Sequence, residues 1–132
     1  MKKRKPKKPD LDEIRQEVMA FAEDREWLQF HTPKNLSMAI ASEAAELMDL
    51  FLWCESHDSR ALPEDSESKA RIEEELADIL IYALQMANVT GIDPAQAIRL
   101  KLESNARKYP VALCRGRSLK YSELDANGVG SR

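Results

Sequence analysis

The sequence predicts an all-α protein, and three observations lead there. Apolar residues recur at helical spacing in four separate segments of the 132-residue chain. Proline, glycine and short polar side chains punctuate the ends of those segments. No stretch alternates apolar and polar residues for long enough to make a strand, and there is no internal repeat. A chain of this length fits one domain with a small core.

The first helix is expected over 11–30. Leu11, Ile14, Val18, Phe21 and Leu28 form its apolar stripe, and Asp12, Glu13, Arg15, Gln16 and Glu17 its polar side. It ends in an aromatic tip, Trp27, Phe30 and His31, where two rings and an imidazole at a junction suit either packing or stacking against a planar ligand. Thr32-Pro33 closes it, because proline cannot continue a helix but fits the first turn of the next. The second helix is expected over 35–54, with apolar residues around the whole wheel, which predicts that it is largely buried. A polar linker containing Pro63 follows, read as a surface loop. The third helix is expected over 67–90, stopped by Gly91 as a left-handed cap. Asp93-Pro94 starts the fourth with a capping side chain and a proline at the first position, and Pro110 limits it to about Lys108. From 113 to 132 the chain is glycine-containing and poor in apolar residues, so an irregular tail is expected.

Inside the second and third helices lie the residues that point to chemistry. Glu43 and Glu46 are three apart, as are Glu75 and Asp78, which puts each pair on one helical face about 60° apart. Carboxylates in apolar surroundings are costly unless they are paired or bind a metal. An antiparallel hairpin with a 1.5 Å rise per residue brings the two pairs to similar heights. Two facing pairs repel without a cation, and four oxygen ligands suit a hard divalent ion, Mg²⁺ or Mn²⁺. Carboxylate-only ligation from two helices points to metal-assisted phosphate chemistry. A di-iron bundle would need Glu-x-x-His, and the residues three before His31 and His57 are Leu28 and Cys54. P-loop, dinucleotide-binding and His-Glu-x-x-His motifs are absent.

Charge distribution narrows the partners. Residues 2–8 hold six basic side chains, leaving 14 basic against 23 acidic residues and a net charge of −9 for the remainder. A body this acidic is a poor nucleic-acid binder, and stable nucleic-acid binding is not expected. The basic stretch at 1–9 reads as a disordered arm ahead of a domain at 10–112; in a eukaryote it would also serve for nuclear access. No apolar run follows it as in a secretory signal, and no charge-free 18-residue apolar run exists, so no membrane association is expected. Cys54 and Cys114 lack metal spacing and read as free thiols, which predicts a cytoplasmic setting.

Taken together, Arg25 to His31, Asn35-Leu36, Glu43 to Trp53, Glu74 to Tyr82 and Lys101 to Val111 resemble the MazG-like nucleoside triphosphate pyrophosphohydrolases. The dCTP pyrophosphatase branch is the nearest part of that family, and Arg115-Gly116 and Lys120-Tyr121 extend the likeness over roughly 11–124. The resemblance implies a four-helix bundle that assembles as a homodimer or homotetramer, with sites at subunit contacts. It implies cleavage of (d)NTPs, dCTP or related pyrimidine nucleotides first among them, to a nucleoside monophosphate and pyrophosphate. Carried over position by position, Glu43, Glu46, Glu75 and Asp78 bind Mg²⁺. Lys101 and Asn105 hold phosphates with help from Lys108 and Tyr109, while Trp27, His31, Trp53 and Tyr82 enclose base and sugar. The competing reading is a non-catalytic helical interaction module. It keeps the acids as structural ion pairs and binds a partner through the basic arm, but it needs a cation opposite each acid, and the second and third helices supply almost none.

Overall fold

The computed structural model describes residues 7–128, so Met1–Pro6 of the expected basic arm lie outside the described residues. The described residues are helical and contain no strand, as the sequence predicts. By their contacts they fall into two compact units, which divide between Ile92 and Asp93.

The first unit begins with α1, Leu11–Glu23, opened by a capping box in which Asp10 accepts from the Glu13 amide and Glu13 accepts from that of Asp10. This helix is seven residues shorter than expected. Glu26 adopts a left-handed backbone (φ 55°), and a 3-10 turn at Trp27–Gln29 follows. The Arg25 guanidinium lies 3.5 Å from the centre of the Phe21 ring and donates to the Phe21 carbonyl, holding the turn against the helix it ends.

Helix α2, Pro33–Asp49, starts where its signals place it: Thr32 accepts from the Asn35 amide and Pro33 takes the first turn. Its end comes five residues early. Leu50, Phe51 and Leu52 bond back to Leu47, Met48 and Asp49 in tight i→i+3 turns, which unwind the helix although the sequence stays apolar. Two 3-10 turns, Asp58–Arg60 and Leu62–Glu64, break up the expected loop. Asp65 then caps α3, Ser66–Thr90, and Gly91 ends it with φ 68°. Helix α3 is the axis of the unit, with α1 and α2 both packed on it.

The core is small. Ala22, Leu36, Leu84 and Ala87 are buried, together with one polar side chain, Gln85. The expectation that α2 is largely buried does not hold for one chain. Only Leu36 is fully covered, while Met38, Met48 and Leu52 are exposed, as are Leu76, Leu80 and Ile81 of α3. A helix gives one face to its neighbour, and the other elements of this unit leave the remaining faces of α2 and α3 open.

In the second unit α4 spans Pro94–Lys108, with Asp93 accepting from the Gln96 amide at its start. Two short helices follow, α5 at Val111–Cys114 and α6 at Tyr121–Gly128, where an irregular tail is expected. Lys120 and Glu123 close a capping turn through a 3.0 Å bond from the Lys120 amide to the Glu123 carboxylate. The Tyr109 and Tyr121 rings meet edge-on at 6.4 Å, and the Lys108 ammonium lies 5.3 Å from the Tyr121 ring centre. No described helix is long and apolar enough to cross a membrane.

Candidate active site

The capped starts of α2 and α3 set the register that brings the two acidic pairs together. One carboxylate oxygen each of Glu43, Glu75 and Asp78 falls within 4.8 Å of the others. Glu46, one helical turn along α2 from Glu43, adds its influence to both Glu43 and Glu75.

The electrostatics of the cluster are those of a site short of positive charge. Burial pushes the Glu43 carboxyl above the ordinary carboxylate range, and the neighbouring charges of Glu46, Asp78 and Glu75 push it further. Glu75 is raised in the same way, by burial first and then by Glu46, Asp78 and Glu74. Its Oε2 is buried without any hydrogen-bond partner. Among the described residues no lysine or arginine forms an ion pair with any of the four acids; Lys69 pairs instead with Glu73, at 4.0 Å. Structural ion pairing therefore does not explain the cluster. A hard divalent cation fits it, since the donors are all carboxylate oxygens and one is orphaned.

Beside the acids lies a cavity of about 250 Å³ between α1, α3 and the turn that joins α1 to α2. Trp27, His31 and Tyr82 line it together with Asp78, Gln85 and the apolar Val18 and Phe21. Trp27 meets Phe21 edge-on at 5.8 Å and His31 at 6.3 Å. The left-handed Glu26 is what turns Trp27 back along α1, so the missed end of that helix is also what builds the pocket. Three of the four aromatic or imidazole residues assigned to base and sugar thus share one cavity with an acid of the cluster.

Trp53 does not join them in the single chain: it lies beyond the end of α2, 94% exposed. Lys101, Asn105 and Lys108 sit on α4, with Tyr109 as its C-cap, in the second unit. Lys101 and Asn105 are one helical turn apart and so share a face of that helix.

Sequence reasoning passed over Gln85, which lines the cavity, and Asn88 and Arg15, which are bonded to it in series. Gln85, 1% exposed, is hydrogen-bonded to His31 Nδ1 at 3.1 Å and accepts from Asn88 at 2.9 Å. Arg15 of α1 donates to Asn88 at 3.0 Å. The available signal was two amide side chains within the apolar run of α3, since buried polar groups require partners.

Comparison with known proteins finds relatives over most of the chain. The model of the MazG-like family matches residues 38–124. The dCTP pyrophosphatase 1 of Bos taurus is 40% identical over 116 residues, covering 88% of this chain and 69% of that protein. Its Homo sapiens counterpart is 38% identical over 121 residues, covering 92% and 71%. Among solved structures, a pyrophosphatase from Archaeoglobus fulgidus superposes with a TM-score of 0.71 at 38% identity, over 82% of this chain and 99% of that one.

Proposed function

The chain belongs to the MazG-like family, and we propose that it is a nucleoside triphosphate pyrophosphohydrolase that acts on dCTP or a related pyrimidine nucleotide. The observation that carries this reading is the adjacency of an unneutralised carboxylate cluster and an aromatic cavity, joined through Asp78. Phosphate chemistry belongs at the first and base binding at the second.

Glu43, Glu46, Glu75 and Asp78 would hold a divalent cation, Mg²⁺ by choice or Mn²⁺ in its place. Such an ion supplies positive charge against the triphosphate and favours ionisation of water at the site. The residues of the chain do the rest. Trp27 and Tyr82 hold the base and His31 its edge, fixing the nucleotide so that its α-phosphate meets the acids. A carboxylate of the cluster, Glu46 being the one outside the closest trio, takes a proton from water as its oxygen bonds to the α-phosphorus. The bond from that phosphorus to the bridging oxygen breaks, and pyrophosphate leaves with the electron pair. Lys101 and Asn105, helped by Lys108 and Tyr109, are assigned to the departing phosphates.

Product analysis tests the bond that is broken. From dCTP, dCMP and pyrophosphate are expected in equal amounts, with free phosphate appearing only after inorganic pyrophosphatase is added. Chromatography that found dCDP as the first product would contradict the assignment.

Assembly into a homodimer or homotetramer is part of the same reading. It is supported by the uncovered apolar faces of α2 and α3 and by Trp53, whose ring meets almost nothing in one chain. Light scattering should give a mass two or four times 15.0 kDa, and Trp53→Ala should shift the assembly toward smaller species. A monomer at micromolar concentration would remove this part of the proposal. The free thiols Cys54 and Cys114 support a reducing, cytoplasmic setting.

A further inference from the structure

A chain of hydrogen bonds runs from the outer side of α1 to the imidazole in the pocket, and its direction is fixed at one end. The Arg15 guanidinium, held by Asp12 through Nε at 3.1 Å and Nη2 at 2.6 Å, donates from Nη1 to Asn88 Oδ1 at 3.0 Å. A guanidinium only donates, so the atom of Asn88 that faces it must be the carbonyl oxygen. The Asn88 amide nitrogen is pinned independently: it donates to the Arg15 backbone carbonyl at 3.1 Å, which only accepts. The usual ambiguity between amide oxygen and nitrogen is thereby removed.

The orientation propagates. Asn88 Nδ2 donates to Gln85 Oε1 at 2.9 Å, which leaves the Gln85 nitrogen facing His31. Of its two hydrogens, one has Met19 Sδ at 3.8 Å and the other has His31 Nδ1 at 3.1 Å. With Nδ1 accepting, the ring hydrogen sits on Nε2. Nothing among the described residues hydrogen-bonds Nε2, and the imidazole lines the cavity beside Trp27 and Tyr82.

We infer that Arg15, Asn88 and Gln85 are positioning residues that lock His31 as its Nε2–H tautomer, so that the pocket offers a hydrogen-bond donor to an acceptor on the edge of the base. This deepens the nucleotide-hydrolase reading and rests on it for the identity of the ligand. Cytosine suits such a donor, since its ring carries a carbonyl oxygen and an unprotonated nitrogen side by side. Gln85 is fully enclosed, so an exchange of its amide ends would leave two donors opposed at Asn88 and two acceptors opposed at His31.

The test is Asn88→Asp in the full-length protein, with the ring nitrogens of His31 read by long-range ¹⁵N–¹H NMR. The carboxylate still accepts from Arg15 but has no hydrogen to give Gln85. Gln85 should then turn its nitrogen toward it and its oxygen toward His31, which moves the ring hydrogen to Nδ1. Wild type should show a pyridine-like Nδ1 and a pyrrole-like Nε2, and the variant the reverse. Alongside this, KM for dCTP should rise about 2- to 10-fold, the range of one lost hydrogen bond, with kcat little changed. A wild-type His31 carrying its hydrogen on Nδ1 overturns the relay whether or not the variant folds. So does a folded variant with an unchanged tautomer. Failure of the functional reading is a separate result, no nucleotide turnover by wild type, and the tautomer signal does not depend on it.

Discussion

Asp78→Asn is expected to reduce dCTP turnover by at least about 100-fold, since removing even an outer partner of a metal ligand costs about 10- to 100-fold. EDTA should abolish turnover in the wild type and Mg²⁺ should restore it. The informative part is what happens to the fold. Three oxygens within 4.8 Å repel one another without a cation, so the metal-free variant should melt no lower than the metal-free wild type. An isolated structural carboxylate would behave oppositely, with loss of stability and activity together. Added Mg²⁺ should raise the melting temperature of the wild type by mass action, by about 2.7 kcal/mol at a hundredfold excess over Kd, and raise that of the variant much less. Full activity in EDTA-dialysed protein would end the metal-site assignment.

The direction of the carboxyl shifts adds a pH signature. Glu43 and Glu75 are raised, by burial first and neighbouring acids second, so the folded metal-free protein holds their protons more tightly than the unfolded chain. Their contribution to stability is fully present below the ordinary glutamate value of 4.5 and is lost as pH rises through the elevated folded value. Metal-free protein should therefore gain stability from these two groups as pH falls through that window. Metal affinity should fall over the same range, because the cation competes with the protons.

Trp27→Ala is expected to raise KM for dCTP by about 5- to 150-fold, the equivalent of roughly 1–3 kcal/mol for one aromatic stacked on a base. Mg²⁺ dependence and kcat should persist, since the acids stand on other helices. Trp27 is 43% exposed and meets Phe21 and His31 only edge-on, so its packing contribution falls below that of a fully buried tryptophan, whose loss costs about 3–5 kcal/mol. Thermal unfolding and steady-state kinetics on one preparation separate the two roles. A destabilised variant with an unchanged KM would take Trp27 out of the site and leave it as packing.

Much of the helical framework was legible because its signals are local. Thr32-Pro33, Gly91 and Asp93-Pro94 act through their own backbones and immediate neighbours, and the structure uses each of them as a cap. The ends of α1 and α2 were not legible for the complementary reason. Glu26 is an ordinary residue held at φ 55° beside the Arg25–Phe21 stack, and the turns after Asp49 lie in a sequence that stays apolar through Trp53. Neither carries a glycine or proline to mark it.

The site divides along the same line. By itself the sequence determined that four acids lie in two helices with almost no cations to answer them, and three-residue spacing put each pair on one face. Helical periodicity is a property of the backbone, so it needs no partner to be read. Only the tertiary structure decided that Trp27, His31 and Tyr82 share a cavity with Asp78, while Trp53 stands free of it in the single chain. It alone paired Arg15 with Asn88 and Gln85 with His31, across 73 and 54 residues. A polar residue in an apolar helix shows that a partner must exist, but which partner depends on how one helix rotates and slides against the next, and that is set by packing summed over the whole core.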